Sequence, residues 1–260
     1  MKGILLAGGR GTRLFPVTKA VSKQLLPIYN KPLVYYPLAT HMLAGIREIL
    51  LITNPQDKAS FEQLLGDGSN FGIQISYAIQ NNPRGIAESI IIGEKFIAGD
   101  EFCLILGDNI FHGPGLGRDL MKHRKISGGT IFGFQVKNPD EYGIAVFDEA
   151  GNLTNLVEKP RIFVSNVAIT GLYFYESSVT ELAKELSPSA RGELEITDLN
   201  KKLFESKLLS IQMLPRGTSW LDTGTFDGMH DASSFVRIVE ERTGILIGDP
   251  SEVARNQGWI

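Results

Sequence analysis

At 260 residues, with 43% hydrophobic and 21% charged side chains and a net charge of −3, the chain can bury a sizeable core and gives no support for bulk nucleic-acid binding. No apolar run approaches the ~18 residues of a membrane-spanning helix, and no signal-peptide plan precedes the first apolar run. The lone Cys103 excludes an internal disulfide and sits in an apolar run, where core packing is its expected role; the expected compartment is the cytoplasm.

The opening of the chain is its most informative stretch. Residues 4–7 form a short apolar run that reads as a strand buried on both faces, and Gly8, Gly9 and Gly11 follow at once. Glycine allows a sharp turn and a close ligand approach, and successive backbone N–H groups in such a turn make a hollow suited to phosphate oxygens. The surrounding charge is one-sided: Lys2, Arg10, Arg13, Lys19, Lys23, Lys31 and Arg47 all precede the first acid, Glu48. A triphosphate suits this setting. The alternative is a flexible loop with solvated lysines, but the run from Gly8 to Leu33 is long for a loop with no task. A P-loop is excluded because G-x-x-x-x-G-K-[ST] is absent. The dinucleotide pattern G-x-G-x-x-G starts at Gly9 and Gly11 but meets Leu14 in place of its third glycine.

Helix-like and strand-like segments then alternate. Residues 33–45 read as a helix, 49–53 as a strand, 58–65 as a helix and 73–79 as a strand. Residues 86–97 have an amphipathic helical pattern, and 102–106 form a strand that ends in Gly107-Asp108-Asn109. This order predicts an α/β fold, a Rossmann-like mixed and mostly parallel sheet flanked by helices. Ligands in such sheets bind beyond the carboxyl ends of the strands. Gly8, Gln80 and Asp108 each follow a strand end, so they are expected to line one crevice. After a helix over 116–124 the texture changes, with strands expected at 130–136, 143–147, 153–157 and 167–174 and turns between them. These should extend the sheet and add a small antiparallel layer around a second substrate. Helices are expected at 182–186, 196–204 and 225–241, a strand at 208–214, and one more short helix within 251–260. No repeat or clear linker interrupts the chain, which predicts one compact domain.

Several residues carry potential chemistry. Asp108, closing a strand, could hold Mg²⁺ through carboxylate oxygen, or simply make an Asp-Asn turn. Asp222, in Trp220-Leu-Asp-Thr-Gly224, has the same two readings plus that of a helix N-cap. Glu158 and Lys159 read either as a solvated ion pair before a turn or as a carboxylate for sugar hydroxyls beside an ammonium for phosphate. Gly143, after Tyr142, could let a sugar lie against the backbone. Residues 191–198 are dense in charge and could start a helix with a capping box. His41, His112, His123 and His230 lack metal-ligand spacing and receive no role.

Taken together, the runs 6–16, 22–27, 106–111, 141–143, 157–160, 170–175, 191–198 and 220–224 resemble, in order, those of the sugar-phosphate nucleotidylyltransferases. The resemblance implies a nucleotide-diphospho-sugar transferase fold, with a nucleotide-binding half at about 1–125, a sugar-phosphate-binding half at about 126–240 and a short helical tail at about 241–260. It also implies a Mg²⁺-dependent reaction of dTTP with α-D-glucose 1-phosphate to give dTDP-glucose and pyrophosphate, with Arg13, Lys23 and Asp108 as the catalytic residues. Gly8, Gly11, Thr12 and Arg13 would wrap the triphosphate, Lys23 would neutralise charge between the substrates, and Gln24 and Asn109 would join the nucleotide contacts. Gln80 and Gly85 would read the thymine edge, and Asp108 and Asp222 would hold the metal. Tyr142, Gly143, Glu158 and Lys159, with Ile169, Tyr173 and Arg191, would surround the sugar phosphate. The family is usually a homotetramer that feeds deoxysugar synthesis, rhamnose above all, and engages neither nucleic acid nor membrane. Two departures stand out. Asn81, Asn82 and Arg84 occupy a segment where the family more often has a proline after the glutamine and an acid before the glycine. Gly248, Asp249, Arg255 and Asn256 differ from the expected end-product feedback site. A uridylyltransferase, an enzyme of relaxed specificity and a non-catalytic sugar-nucleotide-binding regulator remain the alternatives.

Overall fold

The structure, a computed structural model, describes residues 1–260. Its first part runs β1 (Lys2–Ala7), β2 (Pro27–Ile28), β3 (Lys31–Pro32), α1 (Tyr35–Leu43), β4 (Glu48–Thr53), α2 (Lys58–Leu65), β5 (Gln74–Ile79), α3 (Glu88–Ile97) and β6 (Phe102–Leu106). The chain continues with β7 (Asn109–His112), α4 (Leu116–Met121), β8 (Gly129–Gln135), β9 (Gly143–Phe147), β10 (Leu153–Glu158) and β11 (Val167–Tyr175). It closes with α5 (Val179–Lys184), α6 (Ile196–Glu205), β12 (Leu209–Met213), β13 (Ser219–Asp222), α7 (Phe226–Thr243) and α8 (Pro250–Asn256). No helix is long and apolar enough to cross a membrane.

One nine-stranded sheet carries most of the strands, in the order β10-β9-β11-β6-β1-β4-β5, with β8 beside β11 and β12 beside β8. Strands β6, β1, β4 and β5 are parallel, and β11 lies antiparallel to β6. From β1 the chain moves outward to β4 and β5, then returns to place β6 on the other flank of β1. The connections reverse direction between β1 and β6, where an open α/β sheet leaves a crevice beyond its carboxyl ends. Leu6 is in register with Leu106, so the glycine loop after β1 and the Asp108 turn after β6 leave the sheet side by side.

The period-2 alternation of buried residues divides the core between the two faces. Leu5, Leu51, Ile105 and Leu172 point to one face, where Met42 of α1, Phe61 of α2 and Val253 of α8 meet them. Ile4, Leu50, Leu104 and Tyr173 point to the other, covered by Ile90 of α3, Val179 of α5 and Leu199 of α6. Both faces being covered explains why β1, β4 and β6 read as continuous apolar runs. Cys103 is buried within this core. A smaller cluster of Ile28, Tyr36, Ile110 and Val236 ties the β2–β3 ribbon to β7 and α7.

Local differences from the sequence reading have physical causes. The expected helix at 182–186 begins earlier, at Val179, because Val179, Thr180 and Ala183 are the residues that pack inward. The antiparallel strands at 143–147 and 153–157 join the main sheet through β11 and form no separate layer. Two antiparallel ribbons stand outside the main sheet, β2 with β3 and β7 with β13, and local pattern predicts neither; in the second, Asp222 pairs with Asn109 and Trp220 with Phe111. Thr225, not Asp222, caps α7, its side chain accepting from Gly228 N–H at 3.1 Å.

Helix α7 is held to the ribbon below it by a buried ion pair, Lys31 Nζ to Glu240 Oε1 at 2.7 Å, with Asn30 Nδ2 and Ile247 N–H also donating to Glu240. Burial acts to raise the Glu240 pKa, but the Lys31 ammonium and these hydrogen bonds hold it below the ordinary 4.5. A depressed carboxyl contributes stability in full above its unfolded value and loses it as pH falls through the folded one. Glu240→Gln, which strands a buried ammonium, is expected to cost about 3–5 kcal/mol in urea unfolding at pH 7. That difference from the wild type should shrink once the pH drops below 4.5.

Candidate active site

The glycine loop is ordered by short 3-10 turns, Thr12–Leu14, Val17–Lys19 and Lys23–Leu25. Gly11 adopts φ 58°, a left-handed conformation natural to glycine, and its carbonyl accepts from Thr18 Oγ1 at 2.6 Å. The loop is therefore a built feature and not a solvated excursion. It delivers Arg13 and Lys23 to a cleft of about 270 Å³ at the carboxyl ends of β1 and β6.

Four charged groups meet on the cleft floor. Lys23 Nζ donates to Asp108 Oδ2 in a largely buried ion pair. The β7–β13 ribbon brings Asp222 to the same place, and Asp222 Oδ1 accepts from Gly224 N–H at 3.0 Å. The Arg13 guanidinium packs over Gly224, where a Cβ would lie 2.4 Å from Nη2. Burial works to raise the Asp108 pKa, yet the Lys23 charge and hydrogen bonds from Lys23 and Asn109 hold it below the usual carboxylate range. Asp222 goes the other way: burial and the neighbouring Asp108 charge push it up, and Lys23 and Arg13 offset this only in part. The Asp222 carboxylate is thus only partly offset by the two cations beside it. An oxygen-only donor pair of this kind fits a hard divalent cation, which usually takes one or two carboxylates from protein and its remaining ligands from phosphate and water.

Asn109 ties this floor to the wall behind it. Its Nδ2 donates to Asp108 Oδ1 at 2.9 Å, and its Oδ1 accepts from Trp220 Nε1 at 2.6 Å and from Gly171 N–H at 3.1 Å. Gly171 is glycine for a steric reason, since a Cβ there would sit 2.6 Å from Asn109 Oδ1. Trp220 and Tyr142 form an aromatic side of the cleft with ring centroids 5.1 Å apart. Gln24 lines the floor with Oε1 accepting from Ser22 Oγ, which leaves its N–H groups for the cleft.

The far end of the cleft is acidic. Glu158 accepts from Thr197 Oγ1 at 2.6 Å and from Arg191 Nη2 at 2.9 Å, and makes no pair with Lys159. Arg191 also grips Glu195 through Nε and Nη2, so its guanidinium holds Glu158 and Glu195 in place. A Cβ at Gly143 would stand 2.8 Å from Thr197 Oγ1 and 3.2 Å from Glu158 Oε2, so glycine at 143 is what permits this convergence. Ile169 and Tyr173 come from β11 where its pairing with β8 is irregular, and both face the cleft. Lys159 adopts φ 43°, an uncommon conformation for a residue with a side chain, at the cleft edge.

Of the residues singled out in the sequence, Arg13, Lys23, Gln24, Asp108, Asn109 and Asp222 line the cleft floor. Tyr142, Gly143, Glu158, Lys159, Ile169, Tyr173 and Arg191 line the rest. Gly8, Gly11, Thr12, Gln80 and Gly85 are not in its wall. Gln80 lies behind Gly8, where a Cβ would come within 2.5 Å of Gln80 Oε1, and Gly85 packs against the backbone of Leu194 with φ 103°. A second hollow of about 550 Å³ shares Gly9 with the cleft and has Arg10, Lys19 and Asn81 in its wall. Sequence reasoning assigns nothing to Trp220, Glu195 or Thr197, although each falls inside a segment that carries the resemblance. An indole and a hydroxyl have no signature in isolation, and only the β7–β13 pairing and the start of α6 bring them here.

Comparison with known proteins gives the family. The family model described as "Nucleotidyl transferase" matches residues 2–238. A glucose-1-phosphate thymidylyltransferase from Mycolicibacterium smegmatis is 54% identical over 260 residues, covering 100% of this chain and 90% of its own. One from Neisseria meningitidis is 53% identical over 261 residues, covering 100% and 91%. A Bacillus anthracis structure assigned as a glucose-1-phosphate thymidylyltransferase, solved in complex with a sucrose, superposes with a TM-score of 0.84 at 34% identity, over 91% of this chain and 95% of that one.

Asn109→Ala would strand the Trp220 indole N–H and the Gly171 N–H together, and an unmet buried donor costs about 1–3 kcal/mol. Thermal and urea unfolding should show a loss of about 2 kcal/mol or more; an unchanged midpoint would mean that Asn109 does not hold the wall.

Proposed function

The chain belongs to the nucleotidyl transferase family, and from that premise we propose that it transfers the thymidylyl group of dTTP to α-D-glucose 1-phosphate, releasing pyrophosphate and forming dTDP-glucose. The observation that carries the reading is the convergence of Arg13, Lys23, Asp108 and Asp222 on one cleft. The choice of substrates follows the relatives named glucose-1-phosphate thymidylyltransferase that match this chain along its whole length.

The roles follow from charge. A phosphate oxygen of the sugar 1-phosphate attacks the α-phosphorus of the nucleotide in line with the departing pyrophosphate. That monoester is already an anion near neutral pH, so the reaction needs no general base. The obstacle is the approach of several anions to one another, and positioning with charge neutralisation supplies the catalysis. Arg13, with Gly8, Gly11 and Thr12, receives the triphosphate. The Lys23 ammonium sits between the two substrates, and the Asp108 and Asp222 carboxylates would hold a hard divalent cation, which we take to be Mg²⁺. That cation, when bound, supplies charge stabilisation at the phosphates. Gln24, Asn109, Gln80 and Gly85 meet the nucleoside. Glu158, held by Arg191 and Thr197, accepts from sugar hydroxyls between Tyr142, Gly143, Ile169 and Tyr173, and Lys159 lies at the rim. Holding the reactants in line is worth roughly 7–11 kcal/mol in comparable systems. We assign the nucleotide to about residues 1–125 and the sugar phosphate to about 126–240, and place the product in deoxysugar synthesis.

Pyrophosphate release with each of four nucleoside triphosphates and a panel of sugar 1-phosphates tests the reading. The highest rate is expected with dTTP and α-D-glucose 1-phosphate; a strong preference for UTP would indicate a uridylyltransferase, and no release with any pair a binding protein. Asp108→Ala should abolish metal-dependent turnover with the fold retained, and near-normal activity would contradict its role. Lys23→Met should lower kcat by about 10²–10³, the usual cost of removing one group that meets developing charge.

A further inference from the structure

Between β5 and α3 lies a segment whose composition departs from the family pattern, and its geometry has a consequence for the base. Glu88, the first residue of α3, is buried, and its carboxylate is used on every side. Oε2 accepts from Gln80 Nε2 at 2.8 Å and from Arg84 N–H at 3.1 Å, and Oε1 accepts from Arg84 Nε at 2.8 Å and Nη2 at 2.7 Å. The second Nε2 hydrogen of Gln80 faces the Gly85 carbonyl at 3.5 Å. Two acceptors therefore surround the amide nitrogen of Gln80, and they fix which way round the amide stands. Its other end, Oε1, is directed toward Gly8, so close that only glycine fits there. Backbone bonds tie the segment at both ends: Gln80 N–H donates to Thr53 O, Leu194 N–H to Arg84 O, and Ala87 N–H to Leu194 O.

We infer that Glu88 is a positioning residue that makes Gln80 an obligate hydrogen-bond acceptor, and so selects a pyrimidine with an N3–H, thymine or uracil, against cytosine. The inference rests on the reading above that Gln80 meets the base. An amide free to turn is an ambiguous probe, because it offers a donor or an acceptor at equal cost. With its nitrogen committed to Glu88 and Gly85, Gln80 has only Oε1 to present. The N3–H of thymine or uracil meets that oxygen as a donor. Cytosine presents N3 as a lone pair, and acceptor would face acceptor in a desolvated site. Rejection built on an unmet polar group is far steeper than rejection built on shape. Arg84 belongs to the same device: its backbone and guanidinium hold the carboxylate that holds the amide.

Glu88→Gln is nearly isosteric and reverses the logic. The Arg84 donors claim the new side chain's oxygen, its nitrogen turns to Gln80, and the Gln80 amide turns round to offer Nε2 to the base. The test is the ratio of kcat/KM for dTTP to that for dCTP, from pyrophosphate release at fixed α-D-glucose 1-phosphate. In Glu88→Gln the ratio is expected to fall about tenfold or more, the scale of one unmet polar contact. Arg84→Ala, at an exposed side chain, should lower the ratio in the same direction and decides the question if Glu88→Gln fails to fold. General damage to the site would slow both substrates and leave the ratio in place. Gln80→Leu separates the two layers of the argument. A collapsed ratio in Gln80→Leu with an unchanged ratio in Glu88→Gln and Arg84→Ala overturns the role of Glu88 while the base contact stands. An unchanged ratio in Gln80→Leu removes the base contact itself.

Discussion

Two carboxylates and two cations share the floor of one cleft, and the rest of the molecule is arranged to keep them there. Asp108 and Asp222 repel each other, Lys23 neutralises one of them, and Arg13 lies over the turn that carries the other. Left to themselves such groups would spread into solvent, because an exposed ion pair is worth little and buried like charges are costly. They stay because three separate segments are held by the sheet and its ribbon: the loop after β1, which carries both cations, the turn after β6 and the end of β13. The strain of the arrangement is electrostatic, and substrates and a divalent cation are what relieve it.

The fold supplies the meeting point. Parallel strands β1 and β6 end in register, which puts the basic loop and the acidic turn side by side. The β7–β13 ribbon then folds back so that Asp222 stands opposite Asn109. Asn109, with partners on Asp108, Trp220 and Gly171, makes the floor and the aromatic wall one unit. At the far end of the cleft the Arg191 clamp on Glu158 and Glu195 does the same for a pair of acids. The glycines at 8, 143 and 171 are explained by what stands next to them, since each leaves room for a polar atom that a Cβ would displace.

Much of this is legible in the sequence. The apolar runs of β1, β4 and β6 are those of strands covered on both faces, and their alternation with helical patterns predicts the parallel sheet. The one-sided charge of the opening segment points to an anion site by composition alone. Other features are out of its reach. The strands β7 and β13 are short and polar at their ends, and they exist only through a pairing between distant parts of the chain. The meeting of Asp108 with Asp222, the cap at Thr225 and the places of Trp220, Glu195 and Thr197 all depend on that kind of contact. The Glu88–Gln80 bond is another: sequence puts an acid at the start of a helix, where the dipole alone would account for it.

The central claim is that a diphosphate lodges where Arg13, Lys23 and the Asp108–Asp222 pair converge. A crystal structure of the protein with dTDP-glucose and Mg²⁺ tests it most directly. The account predicts the two phosphates within hydrogen-bonding distance of Arg13 and Lys23, with the metal on the two carboxylates. A diphosphate bound elsewhere, with Lys23 still paired to Asp108 and no metal on Asp222, would contradict it.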